Sequence, residues 1–324
     1  MNREELQAIC TRIIDEVGKV VVVSNENMLQ KVLCGFLAGG HILFEDNPGL
    51  GKTLLVKVFA KATGCNWNRI QFTPDLMPAD IVGTKVWRGG NSEFELEKGP
   101  VFTNFLLADE INRAMPKTQS ALLEAMEERQ VTIEGNTYKL VPPFTVMATQ
   151  NPIEMEGTYP LPEAQMDRFI MKLSTGYVDT LEKECEILKR RINWKKDDPT
   201  DDIVCVASQQ NLIQLQEEVE NIYVDDNILR YIGEIIRNTR KDSRIRVGAS
   251  PRGGLALLKL SRAYALIHGR DFVIPDDVKV LSVSALSHRI LLNVEYVLEG
   301  INPGAVIKSI VNSIEVPKNF TREA

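Results

Sequence analysis

The amino-acid sequence predicts an α/β fold with a mostly parallel sheet, followed by a region of helices alone. Apolar strand patterns alternate with amphipathic helical patterns up to about Gly176, and the clearest strands are at residues 42–44, 105–108 and 144–148. Beyond Gly176 only helical periods continue. Strands that alternate with helices favour a parallel sheet, which binds ligands at the carboxyl ends of its strands. We therefore expect an α/β domain at residues 1–176 and an α-helical domain at residues 177–324.

Each element has its own local signal. Two amphipathic helices precede the first strand, and Gly39-Gly40 ends the second of them. Two pairs of alternating segments, at residues 85–96 and 131–140, predict β-hairpins. In the second hairpin we expect Gly135 and Asn136 to supply the positive φ angles of a tight turn. Helical periods in the second half cover residues 181–191, 211–219, 227–240, 253–267 and 276–290.

Composition argues against several classes of protein. The chain has 324 residues, of which 44% are hydrophobic and 25% charged, as in an ordinary soluble globular protein of about two domains. Its net charge of −6 argues against a nucleic-acid partner. The five cysteines and three histidines are scattered and predict neither a disulfide framework nor a zinc site. We see no signal peptide and no run of ~18 apolar residues, so we expect a soluble cytoplasmic protein without a membrane span.

The stretch D-N-P-G-L-G-K-T at residues 46–53 follows an apolar strand and opens an amphipathic helix. In this context a G-K-T string forms a phosphate-binding loop (P-loop), because backbone N–H groups and the helix N-terminus present partial positive charge to an anion. Lys52 would reach the β- and γ-phosphates, and the Thr53 hydroxyl would hold Mg²⁺. Asp46 stands where the general pattern has its first glycine. We expect this change to be tolerated, because Gly49 and Gly51 keep the close backbone approach.

Asp109 and Glu110 end the apolar strand at residues 105–108. In a P-loop fold, a strand beside the P-loop strand ends in an acid that binds Mg²⁺ through water, and a following glutamate can polarise the attacking water. We therefore assign Asp109 to the metal and Glu110 to the base, against the alternative of two solvated acids. Asn151 follows another buried strand and is placed to orient the same water, although alone it could be a turn residue before Pro152.

Two arginines are further candidates. Ser250 is a good N-cap and Pro251 fits the first helical position, so Arg252 lies in the first turn of a helix. A cation there opposes the helix dipole, and a nucleotide phosphate would supply the missing negative charge. We therefore expect Arg252 to be a lid sensor of the γ-phosphate. Arg168 lies between a short helix and a strand, and alone it is equally well explained as a surface salt-bridge residue.

Five stretches together resemble the MoxR family of AAA+ ATPases, and the resemblance covers nearly the whole chain. They are residues 41–53, 107–114, 148–152, 161–169 and 248–252. The resemblance implies a P-loop AAA+ core with a parallel sheet, helices on its faces and two β-hairpin inserts. It also implies that residues 1–176 bind ATP or ADP with Mg²⁺ and that residues 177–324 form a C-terminal all-α lid domain.

The resemblance further implies roles for single residues. It implies Walker A at residues 46–53, Walker B at Asp109 and Glu110, sensor 1 at Asn151, an arginine finger at Arg168 and sensor 2 at Arg252. The catalytic set is Lys52, Glu110, Asn151, Arg168 and Arg252, and the metal set is Thr53 and Asp109. The nucleotide-binding set is Val22 and Val23 beside the adenine, together with Asn47, Pro48, Gly49, Leu50, Gly51, Lys52, Thr53, Leu54 and Arg252.

The implied function is Mg-dependent ATP hydrolysis that drives chaperone-like remodelling, complex assembly, or metal or cofactor insertion in a protein client. The resemblance suggests a homo-hexameric ring that works with proteins containing von Willebrand factor A-type domains. Two alternatives stay open: a nucleic-acid-tracking motor of the same clade, and a nucleotide-switched scaffold that binds ATP but barely turns it over. The acidic net charge weighs against the motor, and the presence of Lys52, Asp109 and Glu110 weighs against the scaffold.

Overall fold

Strands and helices alternate through the first part of the computed structural model, which describes residues 3–24, 27–47, 49–88, 93–151 and 157–318. Two helices come before the first strand, as the sequence predicts. The elements in chain order are α1 (Arg3–Gly18), α2 (Met28–Leu37), β1 (Ile42–Glu45), α3 (Lys52–Ala62), β2 (Trp67–Gln71), α4 (Pro78–Val82), β3 (Gly83–Arg88), β4 (Glu93–Lys98), β5 (Phe105–Asp109), α5 (Pro116–Glu128), β6 (Gln130–Ile133), β7 (Asn136–Lys139), β8 (Thr145–Gln150), α6 (Glu163–Met166) and β9 (Met171–Leu173).

The described residues after Gly176 are mainly helical, as predicted, but they also contain two short antiparallel strands, Ile245–Val247 and Leu291–Leu292, which were not predicted. Several of these helices begin at a side-chain cap, such as Ser208, Asp225 and Ser250, each of which accepts a hydrogen bond from a backbone N–H of the first turn. The elements are α7 (Leu181–Trp194), α8 (Gln209–Asn221), α9 (Asp226–Thr239), β10 (Ile245–Val247), α10 (Pro251–Ile267), α11 (Pro275–Leu286), β11 (Leu291–Leu292), α12 (Val294–Leu298) and α13 (Pro303–Ser313).

The central sheet has five parallel strands in the order β2–β5–β8–β1–β9. The α/β fold is therefore confirmed. Because the strands run in one direction, the P-loop after β1, Asp109 at the end of β5 and Asn151 after β8 share one edge of the sheet. One detail of the prediction was wrong. The strand that ends in Asp109 is not adjacent to the P-loop strand, because β8 pairs with both and lies between them.

Both predicted hairpins are present. Strands β3 and β4 pair antiparallel from Gly83↔Lys98 to Arg88↔Glu93, and β6 pairs with β7 from Gln130↔Lys139 to Ile133↔Asn136. The turn of the second hairpin is shifted by one residue from the prediction. Glu134 (φ 47°) and Gly135 (φ 79°) take the left-handed conformation, and Asn136 already belongs to β7.

The sheet separates two apolar clusters. One lies against α5 and includes Phe72, Leu122 and Phe169. The other joins α1–α3 to the C-terminal helices, and α10 contacts α2, α1 and α8 within it. The helical region thus packs on one face of the sheet, and the domain boundary at Gly176 stays a prediction. Among the described residues, none of the helices combines the length and apolar character that crossing a membrane requires.

Candidate functional site

The P-loop connects the end of β1 to the first turn of α3. Gly49 (φ 83°) and Gly51 (φ 74°) take left-handed backbone conformations that only glycine adopts without strain. A Cβ built at either glycine would meet no atom within 4 Å, so the space in front of the loop is open to a ligand. The amino end of α3 points into this space, which favours an anion. Pro48, predicted to belong to this loop, lies outside the described residues.

Lys52 turns back over the loop. Its Nζ atom donates to the backbone oxygen of Asn47 at 2.9 Å and to that of Asp46 at 3.3 Å. Burial lowers the pKa of Lys52, and the carboxylates of Asp46, Asp109 and Glu110 oppose this shift. A phosphate group in the loop would offer the ammonium stronger, charge-assisted hydrogen bonds than these two carbonyls do.

The Asp46 side chain is buried and ties the P-loop to the segment after β9. Its carboxylate accepts hydrogen bonds from the Ser174 hydroxyl (2.5 Å), from the Thr175 backbone N–H (2.8 Å) and hydroxyl (3.0 Å), and from the Gly176 N–H (3.3 Å). Asp46 is therefore a structural anchor of the loop. With aspartate at this position the P-loop keeps its open glycine backbone, and the carboxylate makes contacts that glycine cannot make.

Asp109 has partners on both of its oxygens. Thr149 of β8 donates its hydroxyl to Oδ1 at 2.6 Å, and Arg69 of β2 donates Nη2 (2.7 Å) and Nε (3.2 Å) to Oδ2. Arg69 thus places a positive charge directly against the acid. The Arg69 side chain is 45% exposed, so this ion pair is accessible to competing ions.

Glu110 follows in a left-handed conformation (φ 57°), which turns its side chain out of the strand direction. Its backbone N–H donates to the Thr149 hydroxyl at 2.8 Å. Its carboxylate accepts a hydrogen bond from Gln71 Nε2 at 2.7 Å and lies 3.1 Å from Arg113 Nε. The neighbouring strand β2 therefore holds both acids, one through Arg69 and the other through Gln71.

These elements enclose a cavity of about 410 Å³ at the carboxyl edge of the sheet. Asn151, which is 9% exposed, completes it from the end of β8. The structure thereby brings together most of the residues predicted for catalysis, metal and phosphate binding. The lining consists of Asp46, Gly49, Leu50, Gly51, Lys52, Thr53, Leu54, Arg69, Gln71, Asp109, Glu110, Thr149, Gln150 and Asn151.

Three predicted nucleotide-binding residues lie beside this cavity without lining it. The Asn47 side chain donates from Nδ2 to the Tyr177 hydroxyl at 3.3 Å. Val22 and Val23 are half-buried and lead into Ser24, whose hydroxyl donates to Thr175 O at 2.7 Å. Because Thr175 also binds Asp46, the Val22–Val23 segment is on the P-loop side of the molecule, where the adenine was predicted.

The cavity fits a nucleoside triphosphate with a divalent cation. Its volume lies within the ~300–1,000 Å³ of small-molecule sites. The Thr53 hydroxyl and the Asp109 carboxylate are hard oxygen donors of the kind that Mg²⁺ prefers. Bound there, Mg²⁺ would neutralise charge on the β- and γ-phosphates. Lys52 and the open glycine backbone would form the phosphate cradle, and Glu110 and Asn151 line the same cavity, where the attacking water was predicted.

Arg168 and Arg252 do not line this cavity. Both line a second cavity of about 270 Å³ that includes His41 and Ile170, the residues just before β1 and β9. It therefore lies at the amino edge of the sheet, about one strand length (~13 Å for four residues) from the P-loop. The Arg168 Nη1 atom donates to Leu123 O at 2.6 Å. The fold places Arg252 and the P-loop of the same chain at opposite strand ends, and the role of Arg252 as a sensor of the γ-phosphate stays a prediction.

The helix start that was predicted around Arg252 is confirmed. Ser250 caps α10 by accepting from Arg252 N at 3.2 Å, and Pro251 is the first helical residue. Glu127 of α5 places negative charge 2.6 Å from the Arg252 guanidinium. This pair is about 40% exposed on both sides, so it can open at little cost.

Sequence reasoning missed Arg69, Gln71 and Thr149. All three act on Asp109 or Glu110 from a neighbouring strand, and only the pairing of β2 and β8 with β5 makes them partners. A partial signal existed in β2, where Arg69 and Gln71 alternate with the apolar Ile70 and so share one face of a strand.

Comparison with known proteins agrees with this geometry. Residues 41–171 match the ATPase family associated with various cellular activities (AAA), and residues 237–310 match the AAA lid domain. The chain is 45% identical to the protein YeaC of Bacillus subtilis over 97% of each chain. It is 42% identical to the Chaperone MoxR1 of Mycobacterium tuberculosis, over 95% of this chain and 82% of that one. A crystal structure of an ATPase candidate from Cytophaga hutchinsonii superposes with a TM-score of 0.89 at 42% identity, covering 98% of this chain and 97% of that chain.

Proposed function

Because this chain belongs to the MoxR family of AAA+ ATPases, we propose that it couples Mg-dependent ATP hydrolysis to the remodelling of a client protein, as a ring of identical subunits. One observation carries the proposal. The P-loop cavity holds the acids and the lysine, whereas Arg168 and Arg252 line another cavity at the opposite edge of the sheet. One chain therefore carries two complementary halves of a phosphoryl-transfer site that it cannot join by itself.

The P-loop half binds the triphosphate and supplies the base. Lys52 leaves the backbone oxygens of Asp46 and Asn47 and binds the β- and γ-phosphates. Asp109 and Thr53 hold the cation. Glu110 accepts the proton of the attacking water, and Asn151 orients that water from the end of β8. Gln71 holds the Glu110 carboxylate until the water competes for it.

The arginine half belongs to the next subunit. Arg168 and Arg252 each carry a guanidinium to the γ-phosphate of the neighbouring P-loop, where Arg168 stabilises the charge that develops in the transition state. An arginine supplied in this way contributes about 10³–10⁵ in rate in comparable phosphoryl-transfer systems. A monomer should thus be nearly inactive, and assembly is part of the mechanism. By family resemblance we propose a hexamer.

The client is proposed to be a protein, as the name of the relative Chaperone MoxR1 suggests. One surface supports this. Trp87 and Phe94 face each other across the β3–β4 hairpin, with ring centroids 5.1 Å apart, and are 54% and 64% exposed. Exposed aromatic pairs mark contact surfaces for proteins. We further propose that this remodelling serves complex assembly or the insertion of a metal or cofactor. A protein with a von Willebrand factor A-type domain is the proposed partner.

Mixing two inactive variants tests the division between subunits. Arg168→Ala removes the finger, and Glu110→Gln removes the base, which should cost about 10²–10⁴ in turnover. Each variant alone should bind a fluorescent ATP analogue but hardly hydrolyse ATP. In an equal mixture, about one quarter of the sites combine an intact Glu110 with a neighbour's intact Arg168, because the contact between subunits is head-to-tail. We expect ATPase activity to reappear to about that extent.

The same mixture made with Arg252→Ala locates the action of Arg252. If Arg252 acts on the neighbour's nucleotide, Arg252→Ala mixed with Glu110→Gln recovers activity. If Arg252 acts on the nucleotide bound to its own subunit, every subunit with an intact Glu110 lacks Arg252, and activity stays absent. Wild-type specific activity should also rise with protein concentration. An unchanged specific activity in a species that stays monomeric would contradict the proposed function.

A further inference from the structure

Helix α7 packs on the molecule through its polar side. Lys183 Nζ donates to Ser24 O at 2.7 Å, and Arg190 Nη1 donates to Gly18 O at 2.7 Å. Trp194 adds a half-buried ring against the core. At about 100° per residue, these three side chains lie within ~40° of one another around the helix axis. This sector is the inner face of α7.

The opposite face of α7 is apolar and faces solvent. Leu181, Leu188 and Ile192 are 73%, 64% and 70% exposed, and they also lie within ~40° of one another, opposite the inner face. The structure describes all fourteen residues of α7, and none of them is buried. The stripe of Leu181, Leu188 and Ile192, here called the α7 stripe, runs for about 17 Å along the helix. A helix of a soluble protein normally turns such a stripe inward.

We propose that the α7 stripe is covered by a second copy of this chain, the subunit that brings Arg168 and Arg252 to the P-loop. The proposal rests on the proposed function. Tyr177, four residues before α7, accepts a hydrogen bond from Asn47 Nδ2 of the P-loop at 3.3 Å, and Lys183 in the first turn of α7 donates to Ser24 O. A subunit that approaches this P-loop therefore also approaches α7.

The surface around Arg168 and Arg252, which the second copy would bring to the P-loop, is cationic and has an apolar rim. The cavity that holds Arg168 and Arg252 is also lined by Arg129, Lys259 and Arg289, against the two carboxylates of Glu127 and Asp167. A cationic surface of this kind suits the triphosphate of the neighbour. Leu255, 59% exposed and one turn after Arg252 in α10, lies on the same surface and offers an apolar side chain. The contact is head-to-tail, so repeating it produces a ring or a helical filament.

The test is the double substitution Leu188→Glu with Ile192→Glu, made in the Glu110→Gln background so that ATP stays bound. Both positions face solvent in the single chain, so the helix content by circular dichroism should be unchanged. We expect sedimentation with Mg-ATP to show the monomer-to-oligomer midpoint at a protein concentration at least ~10-fold higher, since two charges are buried at the contact. Binding of a fluorescent ATP analogue should be retained, because the stripe does not line the P-loop cavity.

Leu229→Glu is the matched control, because Leu229 is 43% exposed on α9 of the same chain and should leave the midpoint unchanged. The milder pair Leu188→Gln with Ile192→Gln should shift the midpoint in the same direction by less. An unchanged midpoint in the glutamate variant overturns this proposal and leaves the proposed function standing, with another protein as the occupant of the stripe. The proposed function would instead be overturned if the Glu110→Gln protein stays monomeric with ATP and the specific activity of the wild type does not depend on protein concentration.

Discussion

Replacing Asp46 by glycine would restore the residue that the general P-loop pattern has at this position. The pattern alone predicts a neutral or favourable change. The structure predicts the opposite, because the buried Asp46 carboxylate accepts hydrogen bonds from two backbone N–H groups and two hydroxyls of residues 174–176. The segment 174–176 leads from β9 towards α7, so the substitution also detaches the P-loop from its lateral support.

The expected loss in the free energy of unfolding follows from these four hydrogen bonds. The two hydroxyls can rotate towards water, since Ser174 is exposed. The N–H groups of Thr175 and Gly176 are fixed and only partly exposed, so we take the lower end of the ~1–3 kcal/mol for an unsatisfied buried donor. Added backbone entropy of glycine in the unfolded chain contributes about 0.5–1 kcal/mol. We expect Asp46→Gly to lower the free energy of unfolding by about 2–3 kcal/mol.

Urea unfolding followed by tryptophan fluorescence measures this change. Asp46→Asn keeps one carbonyl acceptor in the same shape and should lose about half as much. Ser174→Ala removes one exposed donor and should lose less than ~0.5 kcal/mol. An Asp46→Gly variant as stable as the wild type, or more stable, would refute the view that the carboxylate anchors the loop.

Two further predictions concern Arg69 and His41. Arg69→Ala removes the cation that competes for Asp109, so the Mg²⁺ concentration for half-maximal binding of a fluorescent ATP analogue should fall, by up to about fivefold for the ~1 kcal/mol of a partly exposed pair. Arg69→Lys should give a half-saturating Mg²⁺ concentration between those of Arg69→Ala and the wild type. If the half-saturating concentration of Arg69→Ala stays the same or rises, Arg69 does not compete with Mg²⁺ for Asp109. Burial lowers the pKa of His41 to about 3, with Arg129 adding to the shift and the bond to Met126 O opposing it. The unfolded chain therefore takes up this proton first as the pH falls below ~6.5, so stability is lost from there towards pH 3 at up to ~1.4 kcal/mol per pH unit. In urea unfolding between pH 6.5 and 5, His41→Asn should flatten the pH dependence of the free energy of unfolding by this slope. Parallel curves for His41→Asn and wild type would contradict the assignment.

The P-loop could be predicted because its signal is local. An apolar strand, a loop with glycines at two left-handed positions and a helix that begins at Lys52 follow one another within about a dozen residues, and each obeys short-range rules. Asp109, Glu110 and Asn151 could be predicted for a related reason. In a parallel sheet the ends of the strands gather at one edge, so residues that follow buried strands meet even when they are distant in the chain.

The partners of these residues could not be predicted, because they depend on which strands are neighbours. Arg69 and Gln71 act on the two acids only because β2 pairs with β5, and Thr149 acts only because β8 lies between β5 and β1. The anchor at Asp46 depends on the return of residues 174–176 after β9. The turn of the second hairpin was predicted one residue too late for a local reason. Glu134 adopts a left-handed conformation that was expected only of Gly135 and Asn136.

The sequence by itself determined most of the elements, the P-loop, the acids and the family, because these depend on residue type, spacing and neighbours in the chain. Only the tertiary structure decided where each surface faces. Arg252 begins a helix as predicted, yet that helix is packed on α2, which carries the arginine to the strand ends opposite the P-loop. Helix α7 has the predicted period, yet bonds from Lys183 and Arg190 to backbone oxygens hold its polar side inward. Periodicity specifies that a helix has two faces, and the packing of distant segments selects the one that is buried.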